Sequence, residues 1–326
     1  MGRIVTFGEI MLRLSPPLNK RIGRDEVFEK YAGGAELNVA SGISLLGLRT
    51  AVISKLPNNQ IGTFVKNRIR FNTVSDDFLL WDDSANARLG IYYYENGAYP
   101  RKPSVVYDRK GSSFNSISLS EIPDSVYSSA RMFYTSGITL ALSENTRNVA
   151  VEMIKRFKAG GALIAFDVNY RANLWKGRTD AIDLMKSLFP LADTVKVSDE
   201  ELALLLGENI SAEEGGNKIL DLGASLAMIT LGAKGVFYAA KVPDGKRISG
   251  TIPVRKVDVV DTTGAGDSFT GGILYRLTRR ENPLDFTKEE LEADLKFANT
   301  VASICVTRRG AIPALPSLSE VEESLR

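Results

Sequence analysis

The feature that most constrains the fold is a regular alternation of two kinds of segment. Short runs rich in β-branched and aromatic residues predict strands, at residues 4–7, 51–53, 132–134, 163–166, 194–197, 226–230 and 236–239. Longer amphipathic stretches predict helices, at residues 36–46, 61–71, 143–159, 179–189, 199–206, 213–222, 266–278 and 288–306. This alternation predicts an α/β fold with a largely parallel sheet and helices on both faces, a three-layer α/β/α arrangement.

Local signals mark the ends of one of these helices. Ser143, followed by Thr146 and Arg147, is typical of an N-cap. Gly160 and Gly161 supply the left-handed conformation that ends a helix before the next strand.

Two stretches interrupt the alternation. Residues 11–31 carry no helical pattern, and residues 88–113 hold two β-rich runs around a middle with Gly and Pro, which predicts a hairpin. We expect these two stretches to form a small β-lid on a main domain of residues 1–10, 32–87 and 114–326. A lid shields a cleft from water, and an open strand edge favours pairing with a second subunit, hence a homodimer through the β-lid.

Composition excludes several classes of site and partner. The chain has 326 residues and no histidine, so Ser-His-Asp triads and histidine metal sites are ruled out. Its single cysteine allows no internal disulfide. A net charge of +2 without a polybasic run argues against nucleic acid as a partner. The sequence shows no apolar run of the roughly 20 residues a membrane helix needs and no signal-peptide pattern, so we expect a cytoplasmic protein.

The richest chemical signal is the run DTTGAGDSFTGG at residues 261–272. Gly264, Ala265 and Gly266 carry almost no side chain, so their N–H groups can converge on an anion at the start of the following helix. Asp267 either caps that helix or accepts a proton from a substrate hydroxyl. Other phosphate motifs fail, because Phe269 stands where a dinucleotide fingerprint needs its third glycine, and the chain has no GxxxxGK[ST] sequence.

Three segments in order carry a family resemblance. Residues 261–269 resemble the C-terminal signature of the pfkB, or ribokinase-like, carbohydrate kinases, and AGGAELNVA at residues 32–40 resembles their N-terminal signature. TLGAKGV at residues 230–236 is similar to the nucleotide-side turn of the same family. The resemblance covers nearly the whole chain and implies an ATP-dependent sugar kinase with a ribokinase-like fold.

The resemblance also implies residue roles. Asp267 would be the general base, and the amides of Gly264, Ala265, Gly266 and Asp267 would form the anion hole. The residues expected to border ATP are Thr230, Gly232, Gly235, Gly266 and Asn299. Asn299 alternatively lies on a solvated helix face. Asp261 and Thr263 resemble positions that flank a monovalent cation such as K⁺, although Asp261 alternatively only caps the loop.

One motif departs from the family pattern. The family's Asn-x-x-Glu sequence, which organises Mg²⁺ and its waters, appears here as SDEE at residues 198–201. Ser198 therefore replaces the asparagine on the ATP side, and its shorter side chain puts direct metal ordering in doubt. Glu201 remains the candidate for indirect Mg²⁺ binding.

The sugar side is expected at Gly33, Gly34 and Asn38, unless the two glycines serve only as a turn before the helix. GEIMLRLSP at residues 8–16 and VYDRKGS at residues 106–112 resemble 2-keto-3-deoxygluconate kinases. Because a guanidinium and a tyrosine suit a substrate carboxylate, the further candidates are Tyr92, Tyr107, Arg109 and Arg171. Arg171 alternatively binds phosphate, and Arg109 alternatively is solvated.

These features favour transfer of the ATP γ-phosphoryl to the terminal hydroxyl of 2-keto-3-deoxygluconate. A fructokinase or other ketose kinase of the same family is the nearest alternative. A non-catalytic sugar or nucleotide sensor and a dinucleotide-dependent oxidoreductase are more distant ones.

Overall fold

The computed structural model describes residues 3–18, 20–97, 100–175 and 177–326. Its strands are β1 (Arg3–Phe7), β2 (Met11–Ser15), β3 (Glu29–Gly33), β4 (Thr50–Pro57), β5 (Leu79–Asp82), β6 (Gly90–Glu95), β7 (Ser104–Asp108), β8 (Ala130–Ser136), β9 (Leu163–Asp167), β10 (Thr194–Ser198), β11 (Leu226–Thr230), β12 (Val236–Lys241) and β13 (Arg247–Ile252).

The helices fall between these strands and after them. They are α1 (Ala35–Leu45), α2 (Gln60–Phe71), α3 (Ser125–Ser129), α4 (Gly137–Ala141), α5 (Glu144–Ala159), α6 (Arg178–Leu188), α7 (Asp199–Leu206), α8 (Ala212–Asp221), α9 (Ala265–Thr278), α10 (Lys288–Cys305) and α11 (Leu318–Leu325). The N-cap predicted for α5 is confirmed, because the Ser143 hydroxyl accepts a hydrogen bond from the Thr146 N–H at 3.1 Å. Its predicted stop is confirmed as well, since Gly161 adopts a φ of +85°.

The main sheet has the strand order β13-β12-β11-β10-β9-β8-β1-β4-β5. The run from β11 to β5 is parallel, and β12 and β13 extend it as antiparallel hairpin strands. Two strands, β5 and β13, escaped prediction. Both lie at the sheet edges and are not fully buried. RISGTI lacks the apolar run of an interior strand, whereas FLLW at residues 78–81 was a sequence signal for β5 that was not used.

Helices cover both faces, which confirms the predicted three layers. Side chains of α5, α6, α7 and α8 pack on one face of the sheet in one apolar cluster. Side chains of α1, α9 and α10 pack on the other face in a second cluster. Each layer therefore buries one apolar stripe against the strands.

A second, four-stranded sheet has the order β3-β2-β6-β7; we call it the β-lid. β2 and β6 are parallel, and the outer pairs are antiparallel. β3 runs to Gly33, directly before α1, and so joins the β-lid to the main domain. In the described part of the chain no helix is long and apolar enough to cross a membrane.

Candidate active site

The candidate site lies where the carboxyl ends of the parallel strands meet the N-termini of α1 and α9. Open α/β sheets bind ligands at this edge, where neighbouring connections diverge to opposite faces. Here β1 stands between β8 and β4, and its carboxyl end leads through Gly8 into the β-lid.

The loop before α9 presents backbone N–H groups. Gly264 is the N-cap with a φ of +79°, and a Cβ there would lie 2.7 Å from the Cβ of Ala311, so only glycine fits. The Ala265 N–H donates to the Thr262 carbonyl at 3.2 Å. Among the described residues the N–H groups of Gly264, Gly266 and Asp267 have no such partner. The predicted anion cradle therefore narrows to these three amides, with Ala265 engaged inside the loop.

Asp267 lies in the first turn of α9 and is half-buried. Its Oδ2 accepts a hydrogen bond from Nδ2 of Asn38, on α1, at 2.7 Å. Burial raises the pKa of the Asp267 carboxyl, while the Asn38 hydrogen bond and the Lys196 charge oppose the rise. Within the described ranges no side chain caps α9 through a hydrogen bond, so the capping interpretation of Asp267 finds no contact there to support it. The carboxylate is placed for proton transfer.

A buried ion pair beneath Asp267 was not predicted from the sequence. Nζ of Lys196, on β10, lies 2.6 Å from Oδ2 of Asp167, at the end of β9, and 3.3 Å from the Gly266 carbonyl. Burial by itself would lower the pKa of Lys196, but the Asp167 carboxylate outweighs it and the pKa is raised. Lys196 therefore holds a positive charge under the loop. A lysine inside the apolar strand TVKVS was the available signal.

A second buried carboxyl, Glu36 on α1, was also missed. Its Oε1 accepts hydrogen bonds from the hydroxyls of Ser136, at 2.7 Å, and Thr139, at 2.8 Å. Burial raises the pKa of Glu36 to about 7. A Cβ at Gly8 would lie 2.2 Å from Oε2 of Glu36, which explains the glycine at the end of β1. The position of Glu36 inside the AGGAELNVA segment was a sequence signal that was not used.

Ser198 and Glu201 form a capping box at the start of α7. The Ser198 hydroxyl accepts from the Glu201 N–H, and Oε2 of Glu201 accepts from the Ser198 N–H at 2.8 Å. Oε1 of Glu201 accepts from the Tyr170 N–H at 2.6 Å. Burial raises the pKa of Glu201. Because both oxygens already accept backbone hydrogen bonds, Glu201 fits Mg²⁺ binding through water, the mode that Mg²⁺ favours.

No group of three or more potential metal ligands occurs among the described residues. The protein therefore offers no closed metal cage in that part of the chain. A divalent ion would instead arrive on phosphate oxygens.

A cleft of about 810 Å³ opens beside the loop. It is lined by the predicted ATP residues Thr230, Gly232, Gly235, Gly266 and Asn299, together with Phe269 and the segment 254–259. Asn299 is buried, and its Nδ2 donates to the carbonyls of Ile252 and Pro253 at 3.1 and 3.3 Å. The solvated-face interpretation of Asn299 is therefore wrong. The size suits a nucleotide.

The β-lid contributes the other wall. A Cβ at Gly33 would lie 2.7 Å from the Tyr92 hydroxyl, and one at Gly34, where φ is +152°, 2.4 Å from the Glu9 carbonyl oxygen. The Tyr92 and Tyr107 rings lie 5.9 Å apart between their centroids. Burial raises the pKa of Tyr92 to about 12, so its hydroxyl stays a donor near neutral pH. Gly33 and Gly34 thus permit a close approach that any other residue would block.

The two predicted carboxylate-binding arginines differ in their surroundings. Nε of Arg109 donates to Oε2 of the buried Glu9 at 2.8 Å, and Nη2 contacts the same oxygen. The Ser112 hydroxyl donates to the other Glu9 oxygen. The solvated alternative for Arg109 is therefore wrong, but Glu9 balances its charge. Arg171 is exposed, and the only hydrogen bond of its side chain among the described residues runs from Nη1 to the Tyr170 carbonyl at 2.8 Å.

Asp261 holds the loop from its other end. Its Oδ1 accepts the Thr263 N–H at 2.9 Å, and its Oδ2 accepts the Gly310 N–H at 3.0 Å. Burial pushes the pKa of Asp261 upward, yet these hydrogen bonds and the nearby Arg13 hold it below its usual value. These contacts match the loop-capping alternative, and they give no support to a monovalent-cation site at Asp261 and Thr263.

The chain is similar to known proteins over nearly its whole length. Residues 1–318 match the family model described as pfkB family carbohydrate kinase. A 2-dehydro-3-deoxygalactonokinase from Haloferax volcanii is 35% identical over 329 residues, covering 100% of this chain and 97% of that protein.

Two solved structures share the whole fold. A fructokinase from Xylella fastidiosa with bound ATP superposes with a TM-score of 0.85 at 26% identity, covering 99% of each chain. A 2-dehydro-3-deoxygluconokinase from Thermotoga maritima superposes with a TM-score of 0.83 at 28% identity, covering 99% of each chain.

Proposed function

The chain belongs to the pfkB family of carbohydrate kinases and is an ATP-dependent sugar kinase, and on that premise we propose that it phosphorylates the terminal hydroxyl of a 2-keto-3-deoxy sugar acid. 2-Keto-3-deoxygluconate, giving the 6-phosphate, is the first choice. The C4 epimer is the second, because a relative at 35% identity acts on the galactonate form.

The observation that carries the catalytic assignment is the position of Asp267. Its carboxylate is held by Asn38 at 2.7 Å, at the N-terminus of α9, next to three amides without partners among the described residues. In the reaction the acceptor hydroxyl gives its proton to Asp267 while its oxygen bonds to the γ-phosphorus. The bond from that phosphorus to the β-phosphate oxygen breaks, and ADP leaves with its electrons.

The groups around Asp267 would position the transferring phosphoryl group and neutralise its charge. The amides of Gly264, Gly266 and Asp267 would donate hydrogen bonds to the transferring phosphoryl group. Lys196, fixed by Asp167 below the loop, adds a positive charge at the same place. Mg²⁺ bound to the phosphates would neutralise further charge, with Glu201 ordering its waters. Asn38 Oδ1 is buried and has no hydrogen-bond partner within the described residues.

The acid-sugar proposal depends on the two arginines. Burial raises the pKa of the Asp267 carboxyl, and the positive charge of the exposed Arg171 lies close enough to oppose that rise. Its guanidinium can hold a substrate carboxylate by two parallel hydrogen bonds. The edge of the Arg109 guanidinium that does not face Glu9 would donate further hydrogen bonds. Its Cζ lies 5.6 Å from the centre of the Tyr107 ring.

A neutral ketose is the alternative to both sugar acids, and the Arg109–Glu9 pair favours it. A guanidinium whose charge is balanced by a buried carboxylate attracts a substrate anion less strongly. A coupled ATP-consumption assay with 2-keto-3-deoxygluconate, 2-keto-3-deoxygalactonate, fructose and ribose tests the proposal. We expect kcat/KM for the better sugar acid to exceed that for fructose at least ~10-fold. A higher kcat/KM for fructose would contradict the acid-sugar proposal, while Asp267→Asn serves as the inactive control for every sugar.

We also propose that the β-lid mediates a homodimer. Its edge strand β7 exposes Val105, Val106 and Tyr107, and an unpaired apolar edge is typical of an interface. Light scattering on Val106→Glu should show a monomer, whereas Phe71→Glu, at an exposed apolar residue on α2, should leave the wild-type mass unchanged. A wild-type monomer, or loss of the dimer in both variants, would contradict this interface.

A further inference from the structure

A buried arginine of the β-lid has no part in the reaction described so far. Arg13 lies on β2 with only 4% of its surface exposed. Its Nε donates to the Ser15 hydroxyl at 2.8 Å, and its Cζ lies 4.2 Å from the centre of the Tyr94 ring on β6. Burying a guanidinium is costly unless a partner compensates.

The compensating charge comes from the main domain. Nη2 of Arg13 lies 3.8 Å from Oδ2 of Asp261, whose side chain is fully buried. Two more β-lid groups reach the same carboxylate: the Tyr94 hydroxyl at 3.4 Å and the Asn96 amide at 3.3 Å. Asp261 is therefore held from the β-lid on one side and from its own loop on the other.

The contacts of Asp261 continue directly to the anion cradle. Its Oδ1 accepts the N–H of Thr263, the residue before Gly264, and its Oδ2 accepts the N–H of Gly310 next to Ala311. Ala311 packs where a Cβ of Gly264 would clash. A shift of Asp261 would therefore shift the cradle.

We propose that Arg13 is a positioning residue for phosphoryl transfer. Resting on the sugar-kinase assignment, the proposal states that the buried Arg13–Asp261 pair couples the β-lid to the cradle amides. Arg13 touches neither substrate nor Asp267; it acts through Asp261. A cation supplied by the β-lid means that the cradle is held in place only while the β-lid covers the site.

The kinetic test separates positioning from loosening of the β-lid. Arg13→Met should lower kcat about 10- to 100-fold, because misplacing reacting groups by about 1 Å costs up to ~100-fold. The KM for sugar should change less than ~3-fold. Arg309 supplies the control, since it also joins the β-lid to the main domain, at Pro16, Glu29 and Asn96, and it meets Asp261 through Asn96 rather than by a direct contact. Arg309→Met should keep kcat within ~3-fold of wild type.

A double-mutant cycle tests the pair itself. Because Arg13 and Asp261 act as one unit, the double variant Arg13→Met/Asp261→Asn should lose no more kcat than the worse single variant. Arg13→Lys keeps the charge and covers the case in which Arg13→Met does not fold; it should retain more kcat than Arg13→Met or, without that variant, more than Asp261→Asn.

Three results would overturn the proposal. They are losses that multiply in the double variant, an equal fall of kcat in Arg309→Met, and an Arg13→Met enzyme with normal kcat and a raised sugar KM. Loss of activity in Asp267→Asn with all five other variants normal would leave the kinase assignment standing and remove Arg13 from it.

Discussion

On the main-domain side of the site, Asp267 is fixed between α1 and α9 by Asn38, above a buried Lys196–Asp167 pair. On the β-lid side, Tyr107 is exposed on an edge strand, and Arg109 is engaged with Glu9. The first wall is built from helix ends and strand ends packed into the core, and the second from one thin sheet. Catalytic groups belong on the first, rigid wall, where packing fixes them, and the choice of substrate belongs on the β-lid wall.

The sharpest way to break this comparison is to neutralise the base. Asp267→Asn should lower kcat at least ~100-fold, because the amide cannot accept the proton from the hydroxyl. The asparagine introduced at position 267 can still accept the hydrogen bond from Nδ2 of Asn38, so the Tm should change little. Steady-state kinetics and a thermal melt check both; near-normal turnover would remove Asp267 from its role.

Removing the buried cation tests whether the rigid wall acts as one unit. Lys196→Met leaves Asp167 as an unpaired buried carboxylate, which should destabilise the fold by about 3–5 kcal/mol. kcat should fall ~10-fold or more through the loss of charge beside the Gly266 carbonyl. Denaturant unfolding and kinetics should show both effects. Lys196→Met/Asp167→Asn should recover stability but not kcat, and recovery of both would contradict a catalytic charge at Lys196.

The β-lid wall is tested by substrate rather than by rate alone. Arg109→Ala should reduce kcat/KM for a sugar acid by about 10-fold or more, the value of a charged hydrogen bond of roughly 1.5–3 kcal/mol. The same change should reduce kcat/KM for fructose far less. Equal losses for both sugars would mean that Arg109 only holds Glu9. Arg88→Ala, in an exposed pair with Asp108, is the control on the same sheet.

Glu36 connects the rigid wall to pH. Its pKa of about 7 lies above that of an exposed glutamate, so the folded state binds the extra proton between the two values. Wild-type stability should therefore fall as pH rises from about 5 to about 7. The variant Glu36→Gln lacks this dependence. Its free energy of unfolding, minus that of the wild type, should be ~1–3 kcal/mol larger at pH 8 than at pH 5. The same difference in unfolding free energy between the variant and the wild type at both pH values would contradict a raised pKa of Glu36.

Exchanging monovalent cations should have the smallest effect. The Asp261 charge is already met by Arg13 and by the N–H groups of Thr263 and Gly310. Replacing K⁺ by tetramethylammonium at constant ionic strength should change kcat less than ~2-fold. A strict K⁺ requirement would show that a cation binds elsewhere in the loop.

The sequence predicted the parts of the fold that repeat a strong pattern. Interior strands such as β9 and β11 are almost continuous apolar runs, and α5 carries its N-cap at Ser143, so these elements were found. The edge strand β13 was missed because a half-buried strand lacks that run, and β5 was missed although FLLW at residues 78–81 is one.

The site shows the same limit in another form. Motifs located Asp267 and the glycines, since their roles follow from local backbone geometry. The partners of Asp261 lie on β2 and β6, far away in sequence, and Arg13 could not be assigned without them. Lys196 and Glu36 left only indirect sequence signals, because burial of a charged residue depends on which elements cover it.

The nucleotide cleft is lined entirely by residues between Thr230 and Val306, none of them from the β-lid. The far end of the β-lid, by contrast, is tied to the main domain by Arg309 at Pro16, Glu29 and Asn96. ADP can therefore leave while the β-lid stays in place, whereas a molecule beneath the β-lid must wait for those contacts to break. The two products then have separate exits, and the ion pair between Arg309 and Glu29 bears on the exit beneath the β-lid.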